Sequence, residues 1–251
     1  MSEIVNIAAY RFVGIDDATV LAGRIRERCQ VLRLMGSVLV AGEGINLFLA
    51  GASEAIEDFL AGLRQDPRFA GLPVKFSRSR SAPFRRLRVR VKREIVTFRA
   101  PAIAPGSGRA PALSPGKLRD WLRQGRDDAG RELVLLDTRN RQEVVYGTFE
   151  GALTLPIEKF TELPQALDPH REALSGKTIV SFCTGGIRCE KAALWMQQAG
   201  YGNVLQLEGG ILGYFEQVGG EAYAGHCFVF DERVALDAQL RPLVRDAGET
   251  A

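Results

Sequence analysis

The chain has 251 residues, of which 46% are hydrophobic, and a formal net charge of +3. This length allows one or two domains with sizeable apolar cores, and no apolar run approaches the length that crosses a membrane. The four cysteines are too few for a disulfide framework and include no Cys-x-x-Cys pair of the zinc-binding type. We therefore expect a cytoplasmic protein with reduced thiols, no membrane partner, no evident cofactor and no metal site.

The first 99 residues alternate between strand-like and helix-like segments. The order β-α-β-β-α-β predicts a ferredoxin-like α+β domain with two helices on one face of a sheet. Gly42-Glu43-Gly44 is expected to close a hairpin, and Ser53 is expected to cap the second helix. From periodicity, the predicted elements are 4–12, 16–34, 37–41, 45–50, 53–63 and 74–76.

A basic segment follows, in which residues 87–92 alternate apolar and basic side chains. On a strand, the three apolar side chains would face one way and the three basic ones the other. The segment could be an edge strand whose charges oppose aggregation, or a surface that binds RNA phosphates. Phe84 and Phe98 could stack on bases or belong to the core. The candidate RNA-binding residues are Arg85, Arg86, Arg88, Arg90, Lys92 and Arg93.

Residues 100–115 are rich in proline, glycine, alanine and serine, and we interpret them as an interdomain linker. Ser114 and Pro115 are predicted to be the N-cap and first residue of a helix. Strands and helices then alternate, which predicts an α/β domain over 116–222 with a mainly parallel sheet, followed by a C-terminal extension over 223–251. The predicted strands are 132–137, 178–183 and 204–207, and the later helices are 157–167 and 189–199.

Cys183 stands where a predicted buried strand passes through a glycine-rich turn into a helix. Backbone N–H groups of such a turn, a helix N-terminus and the charge of Arg188 all favour a thiolate. We therefore interpret Cys183 as a nucleophile, which requires the thiol to be reachable from solvent. The alternative is an ordinary buried thiol. Cys189 could resolve a Cys183 adduct as a disulfide or could be structural.

Three charged residues are expected to support this turn. Asp137 ends another predicted strand and Arg139 follows it, and a structural ion pair between them is favoured over direct catalysis. The role of Glu143 stays open. Arg188 can point inward and hold the turn, or outward and bind a ligand. His226 and Cys227 are too few ligands for a metal site.

The stretch Cys183-Thr184-Gly185-Gly186-Ile187-Arg188 resembles the six-residue active-site loop of the rhodanese family, in which the first cysteine carries a persulfide. Together with residues 42–46, Cys189 and residues 225–231, it is similar to the tRNA uridine(34) hydroxylases over nearly the whole chain. The resemblance implies a tRNA-binding enzyme that converts wobble uridine to 5-hydroxyuridine with molecular oxygen as co-substrate. The expected site comprises Cys183 and Arg188 as catalytic residues, the loop residues Thr184, Gly185, Gly186, Ile187 and Cys189, and the supporting residues Asp137, Arg139 and Glu143.

Two further functions remain open. A sulfurtransferase would pass sulfur through a persulfide on Cys183, and the loop by itself favours this reaction over hydroxylation. The other possibility is a noncatalytic RNA-binding protein whose rhodanese domain has lost its activity. The family resemblance favours the hydroxylase.

Overall fold

The computed structural model describes residues 4–99 and 109–243. The chain divides into two compact units, Met1–Ala110 and Pro111–Ala251. Most of the predicted linker, residues 100–108, lies outside the described residues. In the described ranges, none of the helices combines the length and apolar character that a bilayer crossing requires.

The first unit contains a five-stranded sheet in the order β4-β1-β3-β2-β5. Its first four strands and two helices follow the order β-α-β-β-α-β, so the predicted ferredoxin-like domain is confirmed. β5 extends this sheet by pairing parallel to β2 at the edge. The elements are β1 (Ile4–Phe12), α1 (Ala18–Val31), β2 (Met35–Ala41), β3 (Gly44–Gly51), α2 (Ser53–Arg64), a 3₁₀ turn (Pro67–Phe69), β4 (Val74–Ser79) and β5 (Leu87–Val91).

The core of the first unit lies between one face of this sheet and the two helices. Alternate strand residues such as Val38 and Leu47 pack with Ile25 of α1 and Phe59 of α2, and all four are buried. The period of two along the strands places these apolar side chains on a single face. Val89 belongs to the same cluster, so it attaches β5 to the core.

Three details of the first unit settle or correct the sequence expectations. Ser53 is not the cap of α2: Ala52 has the extended backbone of an N-cap, and the Ser53 hydroxyl donates to Glu57 at 3.0 Å. Val91 was expected to share a strand face with Val89, but only Val89 is buried; Val91 is 46% exposed at the end of an edge strand. Phe98 is 1% exposed and therefore belongs to the core.

The second unit contains a parallel sheet, as predicted, and its strand order is β6-β11-β10-β7-β9. The elements are β6 (Ala112–Leu113), α3 (Pro115–Gln124), β7 (Leu133–Asp137), α4 (Arg141–Val144), β8 (Gly147–Phe149), β9 (Leu153–Thr154), a 3₁₀ turn (Phe160–Glu162), α5 (Leu163–Leu167), a 3₁₀ turn (Asp168–His170), β10 (Thr178–Phe182), α6 (Ile187–Gln198), β11 (Val204–Leu207), α7 (Gly210–Gln217), β12 (Tyr223–Gly225), β13 (Cys227–Phe228) and β14 (Ala235–Leu236).

The ends of two neighbouring strands position the candidate site. Phe182 of β10 pairs with Asp137 of β7, and the Thr138 N–H donates to the Phe182 carbonyl at 2.9 Å. Cys183 therefore begins its loop beside the segment that follows β7. Ligands of open parallel sheets bind at this carboxyl edge.

Two segments near this edge differ from the sequence expectations. The predicted helix over 157–167 is a 3₁₀ turn followed by the short α5, and the end of the proposed linker forms β6. The Ser114 cap is confirmed, because its hydroxyl accepts from the Lys117 N–H at 3.4 Å and Pro115 is the first helical residue.

Candidate active site

The turn after β10 holds the sulfur of Cys183 against the start of α6. We call residues 183–188 the Cys183 loop. Its Gly186 has a φ of 105°, a left-handed conformation that favours glycine, and serves as the N-cap of α6. The Gly186 N–H donates to Cys183 Sγ at 3.1 Å. Because α6 begins at Ile187, earlier than predicted, Arg188 and Cys189 lie in its first turn.

The start of α7 forms hydrogen bonds to the backbone of the Cys183 loop. The N–H groups of Ile211 and Leu212 donate to the carbonyls of Cys183 and Thr184, at 2.9 and 3.1 Å. Gly210 has a φ of +61°, and a Cβ there would lie 2.4 Å from the Cys183 carbonyl oxygen. Only glycine fits this approach, which lets the start of α7 hydrogen-bond to the loop carbonyls. Sequence reasoning assigned Gly210 no role.

The surroundings of Cys183 favour its thiolate. Burial opposes ionisation, but the Cys189 side chain, the charge of Arg188 and the N–H groups of Cys189 and Gly186 outweigh it, and the pKa of the Cys183 thiol lies well below its usual value. By contrast, burial raises the pKa of both Cys29 and Cys227 to about 12. The thiolate is therefore favoured at Cys183 more strongly than at an ordinary cysteine.

Cys183 is not reachable from solvent in this conformation. Its exposed fraction is 1%, so the expectation of an accessible thiol is wrong here. Part of the C-terminal extension lies against the loop: the Thr184 hydroxyl donates to the Phe228 carbonyl at 3.3 Å, and the Arg188 guanidinium lies 5.8 Å from the ring centroid of Phe230. Phe230 itself is 57% exposed.

Arg188 points inward and pairs with Glu143. Its two terminal nitrogens donate to the two carboxylate oxygens at 2.5 and 2.6 Å, the fork geometry of a strong ion pair. Both side chains are buried. Burial lowers the pKa of Arg188, but the hydrogen bonds and charge of Glu143 raise it above its usual value. Arg188 thus acts on Cys183 through its charge and by holding the loop, while Glu143, whose role the sequence left open, fixes Arg188.

A second buried ion pair supports the neighbouring segment. Arg139 Nη2 lies 2.6 Å from Asp137 Oδ2, and both side chains are fully buried. Arg139 also donates to the Gly147 carbonyl at 2.6 Å, and the Thr148 hydroxyl donates to Asp137 Oδ2 at 2.7 Å. This network ties the end of β7 to β8, so its role is structural. The sequence pattern did not point to Thr148 as a member.

The candidate RNA-binding residues belong to the first unit, and all six are exposed. Arg88 and Arg90 lie on β5 and face away from buried Val89, on the side opposite the helices. The other four lie just before and just after the strand: Arg85, Arg86, Lys92 and Arg93. An edge strand with this many exposed cations is suited to a polyanion.

The described residues of the second unit bring the Cys183 loop, Cys189, Glu143 and the Asp137–Arg139 pair to one edge of the parallel sheet. Within residues 4–99 and 109–243, no group of three or more histidine, cysteine, aspartate or glutamate side chains is arranged to hold a metal ion. What the arrangement can do is stabilise a sulfur anion next to a second thiol.

Fold and loop define a protein with a rhodanese-like domain preceded by a smaller α+β domain. The rhodanese-like domain family matches residues 115–217, and the UPF0176 acylphosphatase like domain family matches residues 4–95. The chain belongs to the tRNA uridine(34) hydroxylase family and is an enzyme of that family.

Curated relatives that carry that name include proteins of Xanthomonas and Xylella. The protein of Xanthomonas euvesicatoria pv. vesicatoria is 64% identical, and the alignment covers 99% of this chain and all of the relative. The protein of Xanthomonas campestris pv. campestris is 66% identical, with 97% of this chain and 96% of the relative covered. The Xylella fastidiosa protein is 62% identical, with 96% and 93% covered.

Proposed function

We propose that this protein hydroxylates the wobble uridine of tRNA to 5-hydroxyuridine in the cytoplasm, with molecular oxygen as co-substrate and Cys183 as the nucleophile. The name and the near full-length identity of its relatives support the substrate and the reaction. The observation that carries the choice of nucleophile is the environment of Cys183, the buried sulfur that receives a backbone N–H and the charge of Arg188.

The Cys183 thiolate adds to C6 of the uracil ring, which is electron-poor because it is conjugated to the C4 carbonyl. Addition moves an electron pair onto C5, which forms a bond to oxygen, and protonation gives a C5 hydroperoxide. Two electrons and two protons from a thiol reductant then cleave the O–O bond and leave the C5 hydroxyl and water. Release of the thiolate from C6 with loss of the C5 proton restores the ring. A base in the anticodon loop can leave its stack for such chemistry at a small energetic cost.

The reaction requires a route for the base, because Cys183 is 1% exposed. The contacts of Phe228 with Thr184 and of Phe230 with Arg188 connect the loop to the C-terminal extension. Each is a single contact, a weak hydrogen bond in one case and a cation–π contact in the other. Displacement of residues 228–230 by the incoming tRNA is the movement that the proposal needs.

The basic strand β5 supplies the electrostatic part of tRNA binding in this proposal. Replacing Arg88 and Arg90 by alanine should weaken tRNA binding and reduce the slope of log affinity against log salt by about 2, roughly one for each lost phosphate contact. The matched control is Arg126→Ala, which removes an exposed arginine of the second unit. An unchanged salt dependence in the double variant would assign β5 a purely structural role.

The experiment for the hydroxylation itself is nucleoside analysis of unmodified tRNA incubated with the purified protein and a thiol reductant, in air and without oxygen. We expect 5-hydroxyuridine only in air. Cys183→Ser should reduce its formation by roughly a thousandfold or more, as expected for loss of a nucleophile. Cys29→Ser changes a buried thiol of the other unit and should retain activity. Undiminished product from Cys183→Ser would rule out the mechanism.

Sulfur transfer is the second candidate, favoured by the match to the rhodanese-like domain family over residues 115–217. It predicts a persulfide on Cys183 after treatment with thiosulfate, and thiocyanate on addition of cyanide. The neighbouring Cys189 sulfur, 3.9 Å away, would attack such a persulfide and expel hydrosulfide. Mass spectrometry that finds a lasting persulfide on Cys183, together with tRNA that gains no 5-hydroxyuridine, would favour the sulfurtransferase.

A further inference from the structure

We propose that Cys189 is a second catalytic residue, and that the Cys183–Cys189 dithiol supplies the two electrons that complete the hydroxylation. This inference rests on the proposed function and assigns the source of reducing equivalents within it. Its direct product is a Cys183–Cys189 disulfide, formed once in each turnover.

The geometry that points to this role is the close approach of two buried sulfurs. Cys183 Sγ and Cys189 Sγ lie 3.9 Å apart, and both residues are thiols with at most 1% exposure. A disulfide bond measures about 2.05 Å, so the sulfurs must approach by roughly 2 Å. Rotation of the two side chains about their Cα–Cβ bonds moves sulfur atoms over distances of this size.

Gly186 holds both sulfurs at once. Its N–H donates to Cys183 Sγ at 3.1 Å, and its carbonyl oxygen lies 2.9 Å from Cys189 Sγ as the acceptor of that thiol's proton. Gly186 thus donates a hydrogen bond to the sulfur of Cys183 and accepts one from the thiol of Cys189. The turn places residues six apart in sequence next to each other because the chain reverses at Gly186, where α6 begins.

The oxygen chemistry requires a reductant. Conversion of a C–H bond to C–OH by molecular oxygen removes two electrons from the substrate, whereas reduction of oxygen to the hydroxyl group and one water takes up four. Two more electrons and two protons must come from elsewhere. Two thiols that become one disulfide supply both.

Each step of this route conserves atoms and electrons. After Cys183 adds to C6, the electron pair on C5 forms a bond to oxygen, and protonation gives a C5 hydroperoxide. Cys189 attacks the outer oxygen, the O–O bond breaks, and the products are the C5 hydroxyl and a sulfenic acid on Cys189. Loss of the C5 proton expels the Cys183 thiolate and restores the ring.

The Cys183 thiolate then attacks the sulfenic sulfur of Cys189. The S–O bond breaks, hydroxide leaves and takes up a proton as water, and the disulfide forms. The sum is uridine, oxygen and two thiols giving 5-hydroxyuridine, water and one disulfide. A thiol or dithiol reductant must reduce the disulfide before the next turnover.

A single-turnover experiment tests the inference. The protein is fully reduced, freed of thiol and mixed with excess unmodified tRNA in air, and the products are then denatured and alkylated. We expect about one 5-hydroxyuridine per protein molecule, the loss of two alkylatable thiols, and renewed turnover on addition of a dithiol. Trypsin cleaves after Lys177, Arg188 and Lys191, so the disulfide would join peptides 178–188 and 189–191.

Three controls show whether the disulfide forms as part of the reaction. Without tRNA the disulfide should not form over the same period. Cys189→Ser should lose at least 90% of the single-turnover product, whereas Cys29→Ser should form product and disulfide like the original protein. The thiol count on the unmutated protein distinguishes the outcomes even if Cys189→Ser fails to fold.

Several 5-hydroxyuridines per protein molecule without added thiol, with both cysteines still reduced, would overturn the inference and leave the proposed function intact. Disulfide formation that is as fast without tRNA would also overturn it, as incidental oxidation. Absence of 5-hydroxyuridine even with a dithiol present would contradict the proposed function and the inference together.

Discussion

Two buried cysteines of the second unit, Cys183 after β10 and Cys227 in β13, show how local geometry decides the chemistry of a thiol. Their exposed fractions are 1% and 0%, yet the pKa of Cys183 is lowered and that of Cys227 is raised to about 12. Burial raises the pKa of both. Only Cys183 receives the N–H of Gly186 and lies at a helix start beside Arg188.

A protein can therefore bury an anion where it supplies fixed hydrogen-bond donors and a paired cation. Arg188 could not be buried alone, because an isolated charge in the interior costs several kcal/mol. The carboxylate of Glu143 offsets that cost by accepting two hydrogen bonds from the guanidinium. Cys227 instead stays neutral, its sulfur lying 3.7 Å from the Phe228 carbonyl.

The largest expected effect comes from breaking the buried ion pair. Glu143→Ala leaves the Arg188 charge buried and unpaired, and we expect a loss of about 3–5 kcal/mol in the free energy of unfolding. Glu158→Ala removes the partner of Arg141 in an exposed pair and should cost less than about 1 kcal/mol. Denaturant unfolding of both variants measures the difference, and equal losses would contradict the role given to Glu143.

The next effect is a pH dependence of opposite sign for the two cysteines. Because the folded pKa of Cys227 is raised to about 12, its contribution to stability is present below the unfolded pKa near 8.5 and is lost as pH rises through the folded value. Between pH 8.5 and 11, the stability advantage of the original protein over Cys227→Ala should fall by roughly 3 kcal/mol.

Cys183 should behave in the opposite way in the same measurement. Its folded pKa is lowered, so its contribution is present above the unfolded pKa and is lost as pH falls through the folded value. Unfolding curves of the original protein and Cys183→Ser, recorded from mildly acidic to alkaline pH, should converge toward the acid side. If the stabilities of both variants approached that of the original protein at alkaline pH, the pKa values of Cys183 and Cys227 would be shifted in the same direction, which would contradict the comparison.

The fold followed closely from sequence periodicity, because each element carries its own pattern. Alternating apolar residues defined the strands of the first unit, and the glycine-rich turn located Cys183 at a strand end. Smaller errors, such as the cap placed at Ser53 instead of Ala52, arose where neighbouring residues both suit a helix start.

Contacts between distant parts of the chain were not readable from such patterns. Glu143 and Arg188 are 45 residues apart, and the contact of Thr184 with Phe228 spans 44. The burial of Cys183 depends on contacts of this kind, whereas its own neighbours in sequence indicated only an anion-binding turn. The 3.9 Å approach of Cys189 likewise depends on the path of the turn at Gly186.

The most direct test of the account is a pH titration of the thiolate of Cys183 in the folded protein, followed by ultraviolet absorbance as the difference between the original protein and Cys183→Ser. We expect a thiolate signal that titrates well below the pH at which an ordinary cysteine ionises and that disappears as the pH falls. A signal that appears only above about pH 8.5, as for an ordinary cysteine, would contradict the claim that the loop holds this sulfur as an anion.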